Sequence, residues 1–190
     1  MKKITLIILV FVVLSCGNNT KNTNTTTNNI DINNDIPKIE TIDKFGEKIF
    51  TLIQSDNYTK ILDLMPDLKK YETLIKNSAL TDGKKETMLH NLESTLKNNI
   101  ELLKKTYSRV RKQAEEAGID WTKSKLNYID YIHTKEDKIE NADIFLNFSF
   151  KGVNYKIELN DCVKINNIWF IGNKINWRTH SNSYYDDYPV

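Results

Sequence analysis

Residues 142–159 read ADIFLNFSFKGVNYKIEL, and this stretch decides the fold. Ile144, Leu146, Phe148 and Phe150 fall on one side of a period-two pattern, with Phe145, Asn147 and Ser149 on the other. Lys151-Gly152 then supplies turn chemistry. Beyond it Val153, Tyr155, Ile157 and Leu159 alternate with Asn154, Lys156 and Glu158. Successive side chains of a strand point to opposite faces, so the two runs make a hairpin with one apolar face. An antiparallel sheet of that kind is covered by helices on one side.

Working outward, residues 163–177 (VKINNIWFIGNKINW) supply two more strand pieces around Asn166–Asn167 and Gly172–Asn173 turns. Upstream, residues 123–133 (KSKLNYIDYIH) alternate imperfectly. Before Asp120 the period is that of a helix. Ile42, Phe45, Ile49, Leu52 and Ile53 share one stripe, with Thr41 or Asp43 as its cap. A short helix, YTKILDLM, stops before Pro66, and a third carries Leu68, Tyr71, Leu74 and Ile75. The longest element runs from Lys84 to Ala117, with Gly118 as its C-terminal cap, and would be about 50 Å long. Its apolar stripe is Leu89, Leu92, Leu96, Leu103, Tyr107, Val110, Ala114 and Ala117, interrupted at Asn99.

These readings predict an α+β fold: N-terminal helices including one long amphipathic helix, followed by a four- to five-stranded antiparallel sheet. It occupies residues 38–178 as one domain, with 179–190 as a flexible tail. The element order and the closing NNIWFIGNKINW pieces resemble the nuclear-transport-factor-like cone and its cystatin-like relatives. That resemblance implies a curved sheet and helices around a pocket, which such folds use for small-molecule binding, for acid–base catalysis or for packing alone.

The first residues carry a different signal. Lys2 and Lys3 precede an apolar run from Ile4 to Leu14. Eleven residues are too few for a bilayer core about 30 Å thick, and they fit a signal peptide. Val13, Leu14 and Ser15 precede Cys16, and Gly17 follows. This resembles the lipobox of bacterial lipoproteins. In that family the signal peptide, here 1–15, is removed and the cysteine, here Cys16, becomes a diacylglycerol thioether and an acylated (palmitate-bearing) N-terminus. The alternatives are an ordinary secretory peptide and an uncleaved anchor. Residues 16–37 are mostly Asn and Thr and read as a tether, with a root-mean-square reach of roughly 25 Å. The expected location is a bacterial envelope membrane, with the domain facing the periplasm.

The formal charge of +2 belongs to the export signal: without Lys2 and Lys3 the chain has 25 basic and 25 acidic groups. A nucleic-acid partner would want a basic domain. With Cys16 lipidated, Cys162 has no disulfide partner and reads as a buried thiol. His90, His133 and His180 share no metal-ligand spacing, and no phosphate-cradling glycine loop or GxSxG elbow occurs, so neither cofactor nor metal is expected.

Four residues stand out as pocket candidates: Tyr128, Asp130, Asp161 and Trp169. Asp130 and Asp161 break apolar parity in their strands. Regular strands would turn both carboxylates inward, where desolvation suits one for acid–base work. A bulge at Asn160–Asp161 would instead turn Asp161 outward. Trp121, Trp169 and Trp177 could stack a ligand ring or fill the core. Lys97, Lys104, Lys105, Arg111 and Lys112 could meet an anionic partner or form a solvated helix face. The expected role is a membrane-held, non-catalytic binding or accessory module for a small ligand or a protein. The alternatives are an assembly partner without a pocket, and an acid–base enzyme using an inward carboxylate.

Overall fold

The computed structural model describes residues 41–136 and 139–178. The expected signal peptide, the tether with Cys16, and the tail lie outside them. Five α-helices come first: α1 (Ile42–Gln54), α2 (Tyr58–Leu62), α3 (Leu68–Asn77), α4 (Asp82–His90) and α5 (Leu92–Glu116). A 3-10 turn at Trp121–Lys123 leads into β1 (Lys125–Glu136), β2 (Ile139–Phe150), β3 (Val153–Ile165), β4 (Ile168–Phe170) and β5 (Lys174–Arg178). The fold is α+β, helices followed by a five-stranded antiparallel sheet.

Local chemistry accounts for most boundaries. Thr41 caps α1, its hydroxyl accepting from the Lys44 amide at 3.3 Å. Gly118 takes φ +68° after α5, which lets the Ile119 amide turn back to the Ala114 carbonyl at 2.9 Å. Lys151-Gly152 and Asn166-Asn167 both hold paired positive φ values, the geometry that matches strand twist in two-residue hairpins.

The long helix is shorter than its periodicity suggests. Asn91 divides it with φ −96° and ψ 2°, and its side-chain amide donates to the Thr87 carbonyl at 2.9 Å. That competition with the backbone ends α4 and restarts the chain as α5, about 38 Å long. None of the residues of α4 is buried, whereas α5 buries Leu103, Tyr107, Val110 and Ala114.

The closing strands also differ from expectation. Gly172–Asn173 is not a reversal: β4 and β5 both lie antiparallel to β3, as two consecutive pieces along the same edge. Gly172 sits where β3 bulges, and a Cβ there would collide with the carbonyl oxygens of Asn160 and Asp161.

One face of the sheet meets α1 and α5. Ile144, Leu146, Phe148, Ile157, Leu159 and Ile175 are fully buried against Phe45, Ile49 and Leu103. Each such side chain contributes about 1.5–3 kcal/mol. Phe148 is the centre of a ring cluster, with Phe50 and Trp121 each at 5.4 Å, Tyr155 at 5.5 Å and Trp177 at 5.9 Å between centroids. Thr106 of α5 accepts from the Ile175 amide at 3.2 Å, tying β5 to the helix. The break in the α5 stripe has a structural reason: Asn99 Oδ1 accepts from the side-chain amide of buried Asn173 at 3.4 Å. At the far end of β3, Val163, Ile165 and Phe170 are buried as well, and Lys70 of α3 holds its ammonium 5.7 Å from the Phe170 ring centre.

Two glycines give opposite expectations. A Cβ on Gly46, mid-way along α1, would lie 2.7 Å from Ile129 Cδ1 and 3.0 Å from Leu146 Cδ2. Nothing lies within 4 Å of such a Cβ on Gly83 in α4. Gly83→Ala therefore raises stability by about 0.5–1 kcal/mol through helix propensity, while at Gly46 the same gain is cancelled or reversed by overpacking. Urea midpoints of the two variants check this; equal gains would contradict the close helix–sheet approach.

Candidate functional site

The face of the sheet turned away from α1 and α5 carries its polar and aromatic groups in two cross-strand rows. Asp130, Phe145, Glu158 and Asn176 form one, and Tyr128, Asn147, Lys156 and Arg178 the other. Asn147 donates its side-chain amide to Asp130 Oδ2 at 3.2 Å. Arg178 Nε donates to Glu158 Oε2 at 2.6 Å, and the Lys156 ammonium lies 5.4 Å from the Phe145 ring centre. On the β1 side the face is open, Tyr128 being 58% exposed. Over β2 and β3 it is not: Phe145 and Asn147 are 6% exposed and Glu158 only 2%.

Tyr128 and Asp130 reach this face because β1 bulges at Asn127. The register slips between Leu126 and Tyr128, so the even-numbered residues change sides and Ile129 turns inward against Gly46. Asn127 is held there by a hydrogen bond from Ser149 Oγ at 3.0 Å and by its own amide donating to Asn154 Oδ1 at 3.3 Å. Asp130 is exposed and points away from the apolar interior, against the regular-strand expectation.

Asp161 is the bulged residue of β3, with φ +55° and a register slip opposite Ala142–Ile144. Its amide donates to Asp143 Oδ1 at 2.9 Å, so Asp143 satisfies the group the bulge frees. Part of Asp161 reaches solvent, but the protein packed around its carboxyl raises the pKa, Asp143 adds to the rise and Lys174 opposes it. Trp169 lies on the other face, 2% exposed in the core, with His133 edge-on at 5.9 Å. The four candidates therefore do not line one pocket. Tyr128 and Asp130 share the open face, Asp161 sits at the β3 bulge, and Trp169 is core. Cys16 lies outside the described residues.

A second feature escaped the sequence pattern. An open groove of about 610 Å³ runs between the α1–α2 turn and α5, bordered by Asp56, Ser108, Arg111, Lys112, Glu115 and Trp121. Arg111 does not stay on a solvated helix face. Its guanidinium donates to the Ile53 carbonyl at 2.7 Å, lies 3.4 Å from Asp56 Oδ1 and covers Trp121 at 5.3 Å. Tyr107 donates to Asp56 Oδ1 at 2.7 Å, and burial, then that hydrogen bond, raises its pKa. The available signal was Ser55-Asp56-Asn57 between two helices: Asp tolerates the left-handed conformation, and Asp56 has φ 53°. With its donors engaged by the Ile53 carbonyl and Asp56, Arg111 closes the end of the core. Trp121 and Trp177 are likewise taken up by Phe148.

On the core side, Glu140 meets Lys135 at 3.3 Å and Lys164 at 3.4 Å. Burial works against its ionisation, but hydrogen bonds and charge from the two lysines prevail and hold its pKa below the usual range. Cys162 is fully buried, and desolvation pushes its thiol to about 12. Burial likewise takes Tyr71 to about 12, with Asp161 and Cys162 adding to the rise. Both groups are held protonated in the fold, and an unfolded chain releases those protons first as pH rises. Stability is therefore full below about pH 9 and falls between pH 9 and 12. Denaturation midpoints at pH 8, 10 and 11 check this, and native Cys162 resists iodoacetamide at pH 8; rapid alkylation would contradict the burial.

Among the described residues no cluster of three or more His, Cys, Asp or Glu is placed to hold a metal ion, and no helix is long and apolar enough to cross a membrane. Comparison with family models, curated proteins and solved structures finds no match. The class is thus given by the fold itself, α+β with a helix-covered sheet, and what the chain does is argued from its surfaces.

Proposed function

We propose that this chain is a lipid-anchored protein of the bacterial envelope whose folded domain is a non-catalytic accessory module, engaging a protein through the open face of its sheet. Acyl chains on Cys16 hold it at the membrane, and residues 16–37 give it reach. The observation that carries the protein-partner reading is the packing between sheet and helices. Side chains from Phe45 to Ile175 fill that interior, whereas Tyr128, Asp130, Lys156 and Arg178 present rings and charges on the outside. Small-molecule sites are typically concave and enclose most of their ligand. Protein contacts favour an exposed aromatic group such as Tyr128.

Photo-crosslinking from position 128 in intact cells tests this, with Cys16→Ser as control. A reproducible neighbour captured by the anchored chain and lost from Cys16→Ser is the expected result. No neighbour, together with a melting point raised by an envelope metabolite, would overturn it in favour of a ligand pocket.

A further inference from the structure

β1 forms one edge of the sheet: among the described residues its ladder partner is β2 alone. Every second residue therefore turns an N–H and a C=O outward, with no described strand to receive them. From Tyr128 to Glu136 the register runs without a break. Edges of this length are usually blunted by lysine, proline or a bulge. Here the bulge at Asn127 precedes the run, and residues 128–134 (YIDYIHT) hold no lysine, arginine or proline and one carboxylate, Asp130. Five large hydrophobic side chains are exposed among the described residues, and three of them, Tyr128, Tyr131 and Ile132, lie on this strand. They face both ways. Tyr128 and Ile132 stand opposite Asn147 and Asp143 on the open face, whereas Tyr131 stands opposite the core residue Ile144 on the helix-covered side. A partner laid on one face would cover only part of this set. A strand added at the edge covers all of it.

We propose that β1 pairs edge to edge with β1 of a second copy of this chain, antiparallel and centred on Ile132. A two-fold axis normal to the sheet keeps like faces together, so each residue meets one of its own parity. The unbroken run, residues 128–136, has Ile132 as its midpoint. This centre therefore uses the whole run and leaves the bulge outside. Ile132 meets its own copy, Tyr131 meets His133 of the second copy, and Asp130 meets Thr134, whose hydroxyl can donate to the carboxylate. A register centred on Asp130 would instead oppose two carboxylates, which is destabilising. The other edge of the sheet offers no equivalent. It is divided into β4 and β5, of three and five residues, where Gly172 meets the β3 bulge. Joining β1 to that edge would be head-to-tail and build open filaments, whereas β1 on β1 closes at two copies. The dimer goes beyond the partner reading above: it joins two open faces into one continuous face, and it stands whether or not the chain is lipidated.

Disulfide trapping in the full chain tests it, in mild detergent and a Cys16→Ser background, where the remaining thiol, Cys162, is fully buried. Residues directly opposite hold their Cβ atoms about 4.5–5.5 Å apart, close enough for a disulfide. Ile132→Cys should form a dimer under mild oxidation at least about tenfold faster than Tyr128→Cys, whose two copies would lie about 27 Å apart along the strands. Ile132→Lys places two like charges on the axis. It should turn a chain that sediments at twice its own mass into one that sediments singly, with its circular dichroism spectrum unchanged. Equal trapping at 128 and 132 would overturn the inference, since random collision does not discriminate along a strand. So would a single-chain mass for the unsubstituted protein.

Discussion

Phe148→Ala lowers the unfolding free energy of the domain by about 4 kcal/mol. The ring is fully buried, and four aromatic neighbours lie within 5.9 Å of its centre. Truncation removes the transfer energy of the ring and leaves a void that these neighbours cannot close together. Phe50 is fixed on α1, Trp121 by Arg111 above it, and Tyr155 and Trp177 by the β3–β5 ladder. Edge-to-face and stacked pairs add about 0.5–1.5 kcal/mol each beyond area, which places the loss in the upper part of the range for aromatic truncations. Tyr128→Ala, on the open face, changes stability by no more than about 0.5 kcal/mol. Urea unfolding of both variants makes the comparison. A loss at Phe148 of about 1 kcal/mol would mean that the rings do not form one packed centre.

Gly172→Ala costs about 3 kcal/mol, at the top of the range for overpacking. The colliding partners are backbone oxygens of Asn160 and Asp161, so no side-chain rotation relieves them. The chain cannot easily move away either. The Ile171 amide is bonded to the Leu64 carbonyl at 2.9 Å and the Ile175 amide to Thr106 at 3.2 Å, which pins both sides of the glycine. Gly152→Ala is the control: it meets nothing within 4 Å and costs only the 1–2 kcal/mol or so of a left-handed conformation, φ +78°. Equal losses in guanidinium melts would show that β4 and β5 do not approach the bulge as closely as described.

What could be read from the sequence was whatever rests on local chemistry. The hairpin at Lys151-Gly152, the cap at Thr41 and the stop at Gly118 each need only a few adjacent residues, and each forms. The α+β order followed from the change of period near Asp120. Features that depend on what lies opposite were hidden. Asn127 bulges because Ser149 and Asn154 receive it, and that single extra residue reverses the faces of β1 and turns Asp130 outward. Gly172 looked like turn chemistry because a close approach to another strand leaves the same signature. Arg111 sat on a basic helix face by spacing alone, while its conformation is set by Trp121, Asp56 and the Ile53 carbonyl. Asn91 was masked by an apolar stripe that continues on both sides of it. On the candidate face the alternation placed Phe145, Asn147 and Glu158 correctly, but nothing in it could say that they are buried.

The proposed anchor at Cys16 would set where the module works. Mass spectrometry of the N-terminal peptide, taken from protein extracted from membranes, reads it directly. Lipid anchoring predicts a peptide that begins at Cys16 and carries a thioether-linked diacylglycerol, absent from Cys16→Ser. A peptide beginning upstream of residue 16, or one with Cys16 as a free thiol, would contradict it.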